Sequence, residues 1–336
     1  MSQTPKHGNL AVFVPHIGCP HRCSFCDQHI ISGAQNMPTA QDVAALCESA
    51  LEKANGRQLE LAFFGGSFTA IDRGPMCALL EAASAFVGKG LCGIRLSTRP
   101  DAVDAHVLSL LKSYPVTAIE LGAQSMNDAV LRQNGRGHTA QDVVDASQRI
   151  RRFGFELGLQ MMIGLDGESE QDAYETAKAL VACRPDTVRI YPALVLKGTA
   201  LEKRLAAGEY RPLTLEEGIR RTARVMELFE ESHSNIRIIR VGLHPSKALE
   251  EKLVAGPYHP ALRELCEGRL MLGRLFDILD GVPAGKIAVG VRPQDVSRMT
   301  GQHRQNLTAL AKRGYAARVV PTAAAVRLHP ILLPII

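Results

Sequence analysis

The sequence predicts an α/β protein: an open, partial (β/α)6 TIM-like barrel followed by a small C-terminal α+β domain. Three observations carry this. Short, mostly apolar runs alternate with longer amphipathic ones from residue 10 to about residue 240. Six of these runs are each followed by a helical stretch, which suggests a parallel sheet but falls short of the eight units of a closed barrel. Beyond residue 285 the order changes to strand, helix, helix, strand.

The predicted strands are Leu10–Pro15, Leu59–Phe64, Gly93–Ser97, Ala118–Gly122, Glu156–Ile163 and Thr187–Tyr191. Each is short and mostly apolar, as a strand covered on both faces should be. The helical stretches are Thr39–Ala54, Arg73–Val87, Asp104–Lys112, Thr139–Phe153, Ser169–Cys183 and Leu215–Glu231. Thr139 stands three residues before Asp142 and Thr214 three before Glu217, the signature of a capping box. The alternation fades after Ile236–Val241. His244–Pro260 reads as a connector, Leu262–Leu279 as a helix and Asp280–Gly285 as a loop. The last pattern is strand Lys286–Val291, helix Gln294–Met299, the tetrapeptide Gly301–Arg304, helix Gln305–Lys312 and strand Tyr315–Pro321. The expected organisation is a flexible N-terminus over 1–9, the barrel over 10–245, a helical connector over 246–285 and a basic domain over 286–336.

A chain of 336 residues buries a large core without covalent staples. No run of 18 apolar residues is present, and the first ten residues lack a signal-peptide core, so a cytoplasmic protein with no membrane partner is expected. Eight cysteines in such a chain argue against a disulfide framework. Five of them (Cys47, Cys77, Cys92, Cys183 and Cys266) sit among apolar neighbours and read as small buried hydrophobes.

The other three are crowded together in Cys19-Pro-His-Arg-Cys23-Ser-Phe-Cys26, directly after the first predicted strand. Thiolates are the usual ligands of iron–sulfur clusters. Three on one short loop can hold three irons of a [4Fe–4S] cube and leave the fourth open to a chelating ligand. Spacing alone also allows a structural zinc, with His16, His21 or His29 as its fourth ligand.

With Phe25 just before the last cysteine, the C-x3-C-x2-C loop resembles that of the radical S-adenosylmethionine superfamily. The resemblance implies a [4Fe–4S] cluster on Cys19, Cys23 and Cys26 and S-adenosyl-L-methionine on its open iron. It also implies a 5′-deoxyadenosyl radical and a flavodoxin- or ferredoxin-type electron donor. Phe63-Phe64-Gly65-Gly66-Ser67-Phe68-Thr69 follows the second strand, where the family commonly has Gly-Gly-Glu. Further on come Ser97-Thr98-Arg99-Pro100-Asp101, Glu120-Leu121-Gly122-Ala123-Gln124-Ser125-Met126, Arg136-Gly137-His138-Thr139, Met161-Met162-Ile163-Gly164-Leu165 and Tyr191-Pro192-Ala193-Leu194-Val195. In this order they resemble the radical domain of the catalytic subunit of Elongator, a tRNA wobble-uridine-modifying enzyme, over roughly residues 10–245. The resemblance places Phe25, Gly65, Gly66, Ser67, Arg99 and Gln124 on the cofactor. Tyr191 is a candidate catalytic residue, and Met161 reads as core packing. The cysteine loop is the compact superfamily form. Nothing after residue 245 has the length or glycine pattern of that subunit's acetyltransferase domain, so an acetyl-derived reaction is not implied.

The net charge of +5 is unevenly placed. From Lys286 onward there are eight basic residues and one acidic, a net of +7 that leaves −2 for the rest. A polyanionic partner fits such a segment. Its strand–helix–helix–strand pattern with Gly301-Gln-His-Arg304 between the helices resembles a KH domain of NusA type, which implies RNA contact through Arg298, Gly301, His303, Arg304, Lys312 and Arg313. The expected function is a radical enzyme modifying RNA, specifically tRNA. The alternatives are a radical enzyme acting on a small molecule and a non-catalytic RNA-binding iron–sulfur protein.

Overall fold

The computed structural model describes residues 7–14, 19, 23–32, 34, 36–232 and 235–334. His16, His21 and the first six residues of the expected flexible N-terminus lie outside them. Eight strands and nine helices make up the first part of the described chain: β1 His7–Val14, α1 Gln28–Ser32, α2 Ala40–Glu52, β2 Gln58–Gly65, α3 Arg73–Ser84, β3 Leu91–Thr98, α4 Ala105–Lys112, β4 Val116–Gln124, α5 Asp128–Gln133, α6 Ala140–Arg152, β5 Glu156–Ile163, α7 Glu170–Ala182, β6 Thr187–Pro192, β7 Val195–Leu196, α8 Ala200–Ala206, α9 Leu215–Glu231 and β8 Arg237–Val241. There follow α10 Lys247–Lys252, β9 Leu253–Ala255, α11 Leu262–Ile278, β10 Lys286–Val291, α12 Val296–Thr300, α13 Gln305–Lys312, β11 Ala316–Pro321 and β12 Ile331–Leu333.

The main sheet has seven strands in the order β1-β2-β3-β4-β5-β6-β8, and every neighbouring pair is parallel. This corrects the expected count of six. β8 is five residues long and carries Arg237 and Arg240, so its apolar signal is weak, yet four of its residues pair with β6, with a register shift at Ile239. β1 and β8 are bonded on one side only, so the barrel is open between them. β1 also begins at His7, three residues earlier than expected.

Alternation along the strands separates two faces. Leu61 and Phe63, Ile94 and Leu96, and Ile119 and Leu121 are fully buried in the main apolar core, each contributing about 1.5–3 kcal/mol by burial. Arg95 and Glu120, between these pairs, join Glu60, Gln160 and Arg189 in a charged and polar network across the sheet, while Phe13, Phe64 and Met162 add apolar surface to the lumen. Arg95 binds Glu60 at 2.8 Å, Glu120 at 3.4 Å and Glu156 at 3.0 Å; Arg189 binds Glu120 at 2.6 and 3.0 Å. Four capping boxes start α2, α6, α7 and α9, two of them the Thr139–Asp142 and Thr214–Glu217 pairs read from the sequence.

The C-terminal unit holds a three-stranded sheet, β11-β10-β12, with β10 and β11 parallel and β12 antiparallel. Its strand–helix–helix–strand order is the one expected, with a 3-10 turn at Pro293–Asp295 opening the first helix. α11 is more than a connector. Its Leu262, Leu265 and Cys266 enter the main core, while Leu270, Met271, Leu272 and Leu275 build the second core under β10 and β11. Among the described residues no helix is long and apolar enough to cross a membrane. Of the five scattered cysteines, Cys47 and Cys266 are buried, Cys77 and Cys183 are half-buried, and Cys92, contrary to expectation, is exposed.

Candidate active site

The strands of the main sheet end together, and the loops at those ends carry the cysteine cluster. Cys19, Cys23 and Cys26 line a cavity of about 110 Å³ with Gly65, Gly66, Thr98, Arg99 and Arg136. It opens into a second cavity of about 300 Å³ in the lumen; Phe25, Cys26, Gln28, Gly65, Gln124 and Gln160 line both. The larger space also takes in Phe13, Phe64, Met162, Arg189, Tyr191 and Arg240. Ligands of parallel α/β sheets sit at this end of the strands.

The loop is held by groups far away in sequence. Ser24 is buried, donates through Oγ to Asn134 Oδ1 at 2.9 Å, and its amide donates to the Asn134 carbonyl at 3.1 Å. Asn134 in turn donates to the carbonyls of Val130 and Asp166, both at 2.8 Å. The Cys26 amide closes a turn on the Cys23 carbonyl at 3.1 Å. Gly65 has φ +110°, and a Cβ there would lie 2.8 Å from the Val14 carbonyl oxygen, so only glycine lets β2 end against β1.

Ser67 does not line either cavity. It is fully buried, its Oγ shares a hydrogen bond with Thr98 Oγ1 at 2.9 Å and accepts from the Arg99 amide at 3.2 Å. The resemblance implies a cofactor contact at this position; its side chain here ties the ends of β2 and β3 together. Arg99 lines the small cavity and is held by a bidentate bond to Asp101 at 2.8 and 2.9 Å. Gln124 has φ +67° at the irregularity between β4 and β5, and its Oε1 is buried without a partner among the described residues. A strained, unpaired side chain facing a cavity is the kind of feature that binding sites retain. Met161 is fully buried, as expected of core.

Arg136, to which the sequence alone assigns no role, reaches across the site. It donates to the Gly122 carbonyl at 2.6 Å and to Cys23 Sγ at 3.2 Å. Burial raises the Cys19 thiol, with Cys23 adding to the effect, and burial pushes Cys26 up to about 12. Arg99 and Arg136 oppose the shift at Cys19. Behind them His138 is held neutral. Burial, then Arg136, lowers it to about 4, and its Nε2–H donates to the Ala123 carbonyl at 3.1 Å. Burial also raises the Tyr191 phenol, which therefore stays protonated at neutral pH. Gln160 donates to Ser97 Oγ at 3.1 Å and Glu120 Oε2 at 3.0 Å, tying the cavity floor to the charged lumen.

Among the described residues no three Cys, His, Asp or Glu side chains converge on a point where one metal ion would bind. Three thiols set around a cavity suit a multi-iron cluster, in which each ligates a different iron.

In the C-terminal unit His303 and Arg304 are exposed in the loop between α12 and α13, with φ +49° and +60°. Gly301 has φ +75°, and Lys312 is exposed. Arg298 stands apart from its predicted group: it is bound to Glu267 at 2.5 Å and to Asp295 at 3.1 Å. Arg313 lies over the Phe276 ring at 3.6 Å. Arg327 is also paired, with Glu230 and Glu267. Glu267 and Glu230 precede residue 286, so a charge count over the last segment overstates its free basic charge.

An open parallel barrel with a three-thiol loop at its strand ends defines an α/β barrel protein with a cysteine-lined cavity. The chain belongs to the radical SAM superfamily: the model for that superfamily matches residues 13–180, and the Radical_SAM C-terminal domain matches residues 185–271. An uncharacterized protein of Methanocaldococcus jannaschii is 29% identical over 210 residues, 59% of this chain and 64% of that protein. Elongator complex protein 3 of Bos taurus is 32% identical over 186 residues, 53% of this chain and 32% of that protein. The tRNA uridine(34) acetyltransferase of Methanocaldococcus jannaschii is 32% identical over 127 residues, 37% of this chain and 24% of that enzyme. The chain thus spans less than two thirds of the length of these relatives. Among solved structures, Methanocaldococcus infernus Elp3 with an N-terminal deletion aligns with a TM-score of 0.62 at 21% identity, over 83% of this chain and 64% of that one. Streptococcus suis SuiB bound to S-adenosylmethionine aligns at 0.51 and 15% identity, over 70% of this chain and 50% of that one. At these identities the structural likeness is one of fold.

Proposed function

We propose that this chain is a radical enzyme that modifies tRNA, with Cys19, Cys23 and Cys26 holding a [4Fe–4S] cluster and S-adenosyl-L-methionine bound beside it. The observation that carries the chemistry is the three-thiol cavity that shares its lining with the lumen cavity at the strand ends. When bound, the cluster supplies the electron that cleaves S-adenosyl-L-methionine to a 5′-deoxyadenosyl radical. The chain's own residues do the rest. Gly65 and Gly66, which expose backbone to the small cavity, would receive the cofactor's methionine end, and Gln124 Oε1 would offer it an unused acceptor. Arg136 stabilises the Cys23 sulfur by a charge-assisted hydrogen bond. Phe25, Phe64 and Met162 line the lumen cavity with apolar surface and would keep water from it once the ligands are bound. Tyr191, which lines the lumen cavity and whose phenol burial keeps protonated, would serve as the hydrogen donor.

Likeness to tRNA uridine(34) acetyltransferases supports tRNA as the substrate. The exposed His303, Arg304 and Lys312 beside Gly301 supply a phosphate-binding edge, with Arg313 at its end. A reduced flavodoxin- or ferredoxin-type protein is the electron source. The test is mass spectrometry of nucleosides from cells with and without this protein. Loss of one modified tRNA nucleoside is expected. An unchanged tRNA profile would refute the tRNA reading in favour of a small-molecule substrate. In vitro, Arg304→Glu with Lys312→Glu should weaken tRNA retention and flatten its salt dependence by about one to two units of slope.

A further inference from the structure

Arg189 and Arg240 are direct partners in register on β6 and β8, and both line the lumen cavity. Two like charges side by side at a cavity wall repel one another unless each is compensated. Arg189 is compensated: Glu120 receives it at 2.6 and 3.0 Å. Arg240 is not. It donates from Nε to the Gly242 carbonyl at 2.8 Å and from Nη1 to His244 Nε2 at 3.0 Å. Among the described residues no carboxylate pairs with it, and no Asp or Glu lines the cavity. The other arginines of this barrel interior, Arg95 and Arg189, each hold at least one buried glutamate.

His244 braces Arg240 without discharging it. Burial and the neighbouring arginines lower its pKa, so it stays neutral and accepts the guanidinium bond. A guanidinium has five N–H donors, so most of its donor set remains free after these two bonds. Arg240 also lies on the edge strand, opposite Asn9, Ala11 and Phe13 of the other edge, β1, where the barrel is open. A ligand reaching the lumen from that side passes the uncompensated charge.

We propose that Arg240, braced by His244, is a subsite for an oxyanion of the substrate, a carboxylate or a phosphate, bound in the lumen away from the cysteine cluster. That the oxyanion belongs to a substrate rests on the radical chemistry proposed above. The anion site itself rests on charge and geometry alone.

The test uses the full chain with its cluster reconstituted anaerobically and two probes, inorganic phosphate and acetate, titrated by calorimetry. At least one is expected to bind, and Arg240→Gln should weaken it by about tenfold or more, the worth of a hydrogen bond to a charged group. The tail substitution Arg318→Gln should leave it unchanged. Whichever probe binds more tightly identifies the oxyanion. A second measurement needs no variant: arginine modification by phenylglyoxal, mapped by mass spectrometry, should be slowed at Arg240 by the probe and not at Arg318. Binding of neither probe, equal binding to Arg240→Gln, or absence of protection at Arg240 would overturn the site. Protein that binds the probe at Arg240 but forms no 5′-deoxyadenosine would refute the radical reading and leave the anion site standing.

Discussion

Glu120→Gln is the sharpest probe of how the lumen is held. Glu120 is 1% exposed and, among the described residues, is the carboxylate that pairs with Arg189, at 2.6 and 3.0 Å. It also receives Arg95 at 3.4 Å and Gln160 at 3.0 Å. Gln keeps the shape but removes the charge and turns an N–H2 group toward a guanidinium. Removing one partner of a buried pair costs about 3–5 kcal/mol, because the other charge is left buried. The loss is aggravated here, since Arg189 would then stand beside the equally uncompensated Arg240. Glu60→Gln is the control. Arg95 would keep Glu120 and Glu156, so the penalty should be less than half as large. The chain has no Trp, so urea unfolding is followed by far-ultraviolet circular dichroism. A loss under about 1 kcal/mol for Glu120→Gln, or one no larger than for Glu60→Gln, would refute the reasoning.

Three further outcomes follow from named contacts. Asn306 is 3% exposed and donates to the carbonyls of Gly268 and Arg298, both at 3.0 Å, so Asn306→Ala should cost about 1–3 kcal/mol and speed hydrogen exchange in α12 and α13 but not in the main sheet. His138 titrates at about 4 in the folded chain against 6.5 unfolded, so the unfolded state binds more protons below pH 6.5; its stabilisation is present above that pH and lost as pH falls toward 4. About 2 kcal/mol should be gone at pH 5, and His138→Gln should flatten that fall in the urea midpoint; parallel pH profiles would contradict it. Gly65→Ala forces a Cβ to 2.8 Å from the Val14 oxygen at a φ of +110°, so iron incorporation on reconstitution should drop while the far-ultraviolet spectrum is kept.

The barrel was legible because its strands are covered on both sides and its helices are capped by side chains close in sequence. Glu156–Ile163 and Leu215–Glu231 are the elements the sequence predicts, residue for residue. β8 was harder to count because two of its five residues are arginines, and the need for Arg240 comes from the cavity, not from strand propensity. The cysteine spacing announced the thiols. What anchors them did not show: Asn134 is 108 residues from Cys26 and reaches Ser24 only after α5 has folded against the loop. Ser67 stands where the resembled family has a glutamate, and its buried bond to Thr98, 31 residues away, was not visible in the local sequence. Arg189 and Gln160, polar residues inside otherwise apolar strands, were the available signal for a charged lumen. The basic tail misled in part because charge was summed along the chain, whereas Glu267 and Glu230 meet Arg298 and Arg327 only in space.

The central claim is that three thiols on one loop hold an open iron–sulfur cluster that works on S-adenosyl-L-methionine. Its most direct test is anaerobic reconstitution of the wild-type chain and of Cys23→Ala, with iron and sulfide analysis and measurement of 5′-deoxyadenosine under strong reduction. The account predicts about four irons per chain and 5′-deoxyadenosine from the wild type, with both lost in the variant. A wild-type chain that binds a single zinc, or that holds iron but cleaves no cofactor, would contradict it.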